Sequence, residues 1–161
     1  MLRFTVADMG EAVKRLQDNG ANITEGDANS EQVFVEDPDG YEIELMRGEP
    51  DTFASFGIRV NDLDESVRFY TEQLPFGWRV QRRWTTPRGT EIAILELPGN
   101  TTTLALRHMP FLKSEVSIPE NLMHIALPVP DMKQFIQDMK ARGVTADPDG
   151  ERMCWVVDPQ G

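Results

Sequence analysis

The groups in this 161-residue chain that could do chemistry are few: two histidines, one cysteine, and carboxylates and guanidiniums set in alternating segments. In "YEIEL" (41–45) Tyr41, Ile43 and Leu45 share an apolar face, so Glu42 and Glu44 point the other way. In "HIALPVPD" (124–131) Ile125, Leu127 and Val129 form the apolar face, and His124 lies on the side that Glu44 also faces. A neutral imidazole and a carboxylate suit Zn²⁺, Ni²⁺, Fe²⁺ or Mn²⁺. Two ligands are too few on their own, since catalytic centres usually keep about three protein ligands and an open position. Arg3, Arg59 and Arg107 also sit on non-core faces of their segments, where planar guanidiniums suit a carboxylate-bearing substrate.

The remaining candidates read as structural. His108 follows "TLALR" as a rim or linker residue, and Trp78, Trp84 and Trp155 read as core packing. Cys154, in the apolar run "MCWVV", reads as a buried, inert thiol. A single cysteine excludes an internal disulfide framework and a Cys-rich zinc site, and a reducing cytoplasm fits it. The net charge of −11 and the lack of a Lys/Arg cluster argue against a nucleic-acid partner. No apolar run is long enough to span a membrane, and the first residues lack a signal-peptide layout. Forty percent hydrophobic and 27% charged residues are globular values.

Three copies of one unit must position these groups. "MLRFTVADMGEAVKRLQDNGANI" (1–23), "SFGIRVNDLDESVRFYTEQLPFGW" (55–78) and "HIALPVPDMKQFIQDMKARGVTA" (124–146) each begin with period-two alternation and then change period at an Asp. Leu2, Phe4 and Val6, then Phe56, Ile58 and Val60, then Ile125, Leu127 and Val129 predict strands with one buried face and a second face that lines something solvated or a pocket. Asp8, Asp62 and Asp131 are each followed three residues later by Glu11, Glu65 or Gln134, a capping-box spacing that predicts three helix starts. Gly20 and Gly143 predict helix ends, as does Pro75. Strand pairs then follow around "DPDG" and "PGN", whereas the third copy reaches "DPQG" at 158–161 with no strand after it.

On the residues "DLDESVRFYTEQL" (62–74), "HIALPVPD" (124–131) and "VEDPDGYEIEL" (35–45) the chain resembles the vicinal oxygen chelate superfamily, which includes glyoxalase I, extradiol dioxygenases and bleomycin-resistance proteins. The resemblance implies an α+β fold of tandem βαβββ modules pairing into a curved, eight-stranded mixed-sheet cup. The modules would be 1–47, 54–108 and 122–161, the last truncated before its final strand. It implies a divalent metal in the cup, with Glu44 and His124 as ligands and Glu44 as catalytic carboxylate. Arg59, Arg107 and Arg3 would contact the substrate. Met1 and Ser55 stand where other modules carry the His, and Ala105 where they carry the Glu. The expected function is therefore a glyoxalase-I-type, metal-dependent lyase with a degenerate or incomplete site. The alternative is a metal-free small-molecule binding protein of the bleomycin-resistance type, and Ser55 counts against a dioxygenase. Either way the partners expected are a small molecule and a second copy of the chain, which would cover the strand edge left bare. A longer four-module parent is the other expectation for that edge.

Overall fold

The computed structural model describes residues 1–113 and 124–159. Ten strands and three helices follow in the order β1 (Leu2–Val6), α1 (Met9–Asp18), β2 (Asn22–Glu25), β3 (Gln32–Glu36), β4 (Glu42–Arg47), β5 (Thr52–Val60), α2 (Leu63–Arg68), β6 (Arg79–Thr85), β7 (Glu91–Glu96), β8 (Thr103–His108), α3 (Met132–Ala141), β9 (Ala146–Asp149) and β10 (Met153–Val156). Eight strands make one mixed sheet in the order β2-β3-β4-β1-β5-β8-β7-β6, and β9 and β10 form a separate hairpin. The fold class is α+β, with βαβββ runs from β1 to β4 and from β5 to β8. The residues fall into two compact units: 1–58 with 100–105, and 59–99 with 106–161.

The first unit is organised by β1, which pairs parallel with β4 and antiparallel with β5. α1 starts where the Asp8 carboxylate accepts from the Glu11 N–H at 2.9 Å. It ends in a Schellman pattern, with Gly20 at φ 71° and the Ala21 N–H donating to the Leu16 carbonyl at 2.9 Å. Its inner face buries Met9 and Val13 against Val33, with Val6, Ile23 and Leu45 packed around them. That burial, rather than propensity, holds so short a helix. Gly26 has a stricter reason to be glycine, because a Cβ there would lie 2.4 Å from the Gln32 carbonyl oxygen.

The second unit repeats these devices. Asp62 and Asp131 accept from the Glu65 and Gln134 N–H groups, and Gly143 (φ 74°) closes α3 with the Val144 N–H on the Met139 carbonyl. The reciprocal half of the expected box is absent in α3. Gln134 sends its amide down the helix to Asp138 at 2.8 Å, a partner one turn on that competes with the cap. After α2 the chain widens into a π-helical turn, Phe69–Gln73, with the Leu74 N–H reaching the Phe69 carbonyl at 3.0 Å before Pro75 stops it. α3 packs back through Phe135, whose ring lies 5.7 Å from that of Phe76, and Arg142 donates to the Glu72 carbonyl at 2.6 Å.

Three expectations are corrected. Residues 124–129 keep the predicted alternation, with Ile125, Leu127 and Val129 half-buried between exposed neighbours, but they form no strand. A strand exists by its ladder; this segment has no ladder partner among the described residues, and Pro128 and Pro130 remove two N–H donors. Secondly, the faces expected to line something solvated or a pocket are closed at Ser55, Gly57 and Glu44. Ser55 and Gly57 are buried while Phe56 and Ile58 are half-buried, and Glu44 is buried between half-buried Ile43 and Leu45. Thirdly, Trp155 is 43% exposed rather than packed in a core, as are Met153 on β10 and Val157 just after it. Trp78 is buried as expected, and Trp84 carries the Arg82 guanidinium 4.7 Å from its ring.

Candidate functional site

Strand register brings Glu44, Arg3 and Ser55 into one row across the first unit. Arg3 is opposite Glu44 on β4 and opposite Ser55 on β5. Directly opposed residues share a face, so the three side chains converge. Arg3 donates from Nε to Glu44 Oε2 at 2.9 Å and places a second guanidinium nitrogen 2.8 Å from the same oxygen. Gln32, on β3, donates to Glu44 Oε1 at 3.2 Å. Glu44 is 2% exposed, so both carboxylate oxygens are occupied inside a closed site. Such a pair is costly to form and costlier to break, because removing one partner strands a buried charge. Beside it, the Ser55 hydroxyl is buried with no hydrogen-bond partner among the described residues. Ala105 is also buried.

The other predicted site residues lie in the second unit. His124 is exposed, its ring edge-on to Trp155 with centroids 5.5 Å apart and an interplanar angle of 82°. Arg59 and His108 line a cavity of about 300 Å³ with Asn61, Met109, Leu112 and Lys113. His108 is held through Nδ1 by Glu91 Oε2 at 2.8 Å. Arg107 is half-buried on β8 next to His108, and successive strand residues face opposite ways. Cys154 is half-buried; burial and the nearby Asp147 charge push its thiol pKa up, which keeps it protonated and agrees with the inert reading.

Sequence reasoning missed two partnerships here. Gln32 as the second holder of Glu44 had no local signal. The Glu91–His108 pair had a faint one: Glu91 opens β7 and His108 closes β8, neighbours in the sheet joined by the turn at 97–102.

Residues 52–156 match the Glyoxalase/Bleomycin resistance protein/Dioxygenase superfamily, and the chain belongs to it. Lactoylglutathione lyase GLX1 of Arabidopsis thaliana is 36% identical over 91 residues, which cover 52% of this chain and 31% of that protein. Among solved structures, the trypanothione-dependent glyoxalase I of Leishmania major is 34% identical with a TM-score of 0.58, covering 68% of this chain and 81% of that one. TnmS3, an antibiotic binding protein from Streptomyces sp. CB03234, shares the fold at 20% identity and a TM-score of 0.56, covering 71% of this chain and 92% of that one. The chain spans about a third of the length of the first curated relatives it matches.

The donor set does not fit a metal by itself. Among the described residues no group of three or more His, Cys, Asp or Glu side chains could hold an ion. Glu44, the carboxylate that the resemblance nominates, is engaged by Arg3 and Gln32. No helix among the described residues is long and apolar enough to cross a membrane.

Proposed function

We propose that the chain is built for glyoxalase-I-type lyase chemistry on a small thioester-forming substrate, with a metal-ligand set that its described residues leave incomplete. The identity with lactoylglutathione lyase and with a glyoxalase I supports the branch. The observation that carries the incompleteness is the buried Arg3–Glu44–Gln32 cluster. A carboxylate whose two oxygens are occupied by a guanidinium and an amide must give up one of those partners before it can bind an ion. On this reading Glu44 is a weak candidate for base or ligand in this chain. His124 serves a metal only with donors from elsewhere, a second copy of the chain being the natural source. Arg59 and Arg107 remain the substrate-side cations, and Arg3 joins them only where it lets go of Glu44.

The test is calorimetric titration of S-lactoylglutathione into purified protein before and after exhaustive chelation, alongside elemental analysis of wild type and His124→Ala. Binding that falls with metal removal, and metal that falls in His124→Ala, supports the lyase reading. No binding in either state overturns it. One metal per chain that is lost in Glu44→Gln overturns the incompleteness of the ligand set.

A second reading has its own support. Ser55 and Ala105 stand where the resemblance puts ligands, and a hydroxyl without a partner among the described residues and a methyl are compatible with a metal-free binding protein of the bleomycin-resistance type. Affinity that survives chelation unchanged favours it.

A further inference from the structure

The three copies of the unit differ at one position of the row that Glu44, Arg3 and Ser55 form. Arg3 stands two residues after Met1, and the matching residues of the other copies are Gly57 and Ala126, which carry nothing that could reach a neighbouring strand. Arg3 does reach. Its Nε and a second guanidinium nitrogen lie 2.9 and 2.8 Å from Glu44 Oε2, while Gln32 donates to Oε1 at 3.2 Å. The arginine side chain is 20% exposed and the glutamate 2%, so the guanidinium closes the row from water.

What the guanidinium covers is a set of oxygens. Glu44 contributes a carboxylate, Gln32 an amide that can present its oxygen in place of its nitrogen, and Ser55 a buried hydroxyl with no partner among the described residues. Such oxygens are the donors of hard divalent cations, which fill their remaining positions with water. An ion and the guanidinium cannot hold this row together, because both need Glu44 Oε2 and their like charges repel at close range. We infer that Arg3 is a built-in counter-cation that bars divalent ions from the row, and that exchanging it for the glycine of the second copy turns the row into an ion site. The inference rests on the incomplete ligand set of the proposed function and deepens it. The row is shut by the chain's own charge as well as short of donors.

The experiment is a Mn²⁺ titration, read by the EPR signal of the free ion and by thermal unfolding. It compares wild type, Arg3→Gly, Arg3→Lys, Glu44→Gln and the double variant Arg3→Gly, Glu44→Gln. A chain of net charge −11 attracts cations over its whole surface, so the quantity read is the binding that Glu44→Gln removes. None is expected in wild type or in Arg3→Lys, which keeps a positive charge in the row. Arg3→Gly should bind Mn²⁺ about tenfold or more tightly than wild type, and saturating ion should raise its unfolding midpoint. Both gains should vanish in the double variant. If Arg3→Gly is unfolded without the ion, recovery of its far-UV circular dichroism on adding Mn²⁺ is the same gain. No Glu44-dependent gain in Arg3→Gly overturns the inference, and so does an equal gain in Arg3→Lys; both results leave the proposed function standing. Glu44-dependent binding in wild type overturns the inference and the incomplete ligand set together.

Discussion

The Glu44 cluster and the His108 cavity hold the same kinds of groups, a carboxylate, a guanidinium and a polar neighbour, and arrange them to opposite ends. In the first unit Arg3 and Glu44 face each other from adjacent strands, and the carboxylate is 2% exposed. In the second unit Glu91 holds His108 Nδ1 at 2.8 Å with 42% of its own side chain exposed, beside the cavity that Arg59 and Lys113 line. A charged group closed in by its own partner stabilises a structure or costs it dearly when broken. One held at the surface is screened by solvent and contributes little either way. Residue type alone does not separate the two, and strand register does.

The largest effect should come from opening the closed cluster. Arg3→Ala leaves Glu44 buried without its guanidinium, and the expected loss is about 3 kcal/mol of unfolding free energy. The double variant Arg3→Met, Glu44→Leu should recover most of it, because an apolar pair removes both the Coulombic gain and the desolvation penalty. Urea denaturation of the two variants and wild type measures this. A single variant within about 0.5 kcal/mol of wild type, the range usual for surface changes, would place Glu44 in water and dissolve the contrast.

A second closed polar pair makes the comparison within the second unit itself. Tyr70 is buried in the π-helical turn and donates to Asp158 Oδ2 at 3.0 Å, tying the end of the β9–β10 hairpin region to α2. Burial first, then the Asp158 charge and hydrogen bond, push the Tyr70 hydroxyl far above its ordinary range. The folded state therefore keeps a proton that the unfolded chain releases near pH 10, so stability should fall as pH rises past that point. Tyr70→Phe should cost about 1 kcal/mol at neutral pH. Above about pH 10 the difference from wild type should shrink by up to about 1.4 kcal/mol per pH unit. Urea midpoints across that pH range, wild type against Tyr70→Phe, test the sign. A gap that widens with pH would mean the phenol is ionised in the fold.

How much of this was legible beforehand depended on range. The Asp8, Asp62 and Asp131 caps and the Gly20 and Gly143 stops are local hydrogen-bond patterns, and spacing predicts them. The direction of Glu44 was also readable, since alternation fixes which side a strand residue takes. Its burial was not, because the Arg3 partner lies 41 residues away and depends on the register between β1 and β4. The same holds for Gln32, 12 residues from Glu44, and for Tyr70 with Asp158, 88 apart. The first strand of the third copy failed in the opposite way: its pattern is present, but a pattern cannot supply the ladder that makes a strand. Repetition predicts units; pairing decides what each unit's faces do.

Smaller changes should mark the open side. Glu91→Gln removes an ion pair whose members are 26% and 42% exposed, so its cost should stay near or below 0.5 kcal/mol, as for surface pairs. A stability loss above about 1 kcal/mol in urea denaturation would instead shift the pair to the closed class.

His124→Ala should be the mildest of all. The ring is exposed and its aromatic contact among the described residues, with Trp155, is to a side chain that is itself 43% exposed. An aromatic pair is worth about 0.5–1.5 kcal/mol when packed, and here solvent already competes on both sides, so a change within about 0.5 kcal/mol follows. Trp155 fluorescence should nevertheless report the loss of its neighbour. The value of so small an effect is what it separates. If His124 matters only through a ligand it shares with donors outside the described residues, its removal leaves the isolated fold untouched and changes metal content alone. A stability loss above about 1 kcal/mol would instead make it a fixed part of the hairpin's packing, a role unlike that of Glu44, whose oxygens are themselves taken by Arg3 and Gln32.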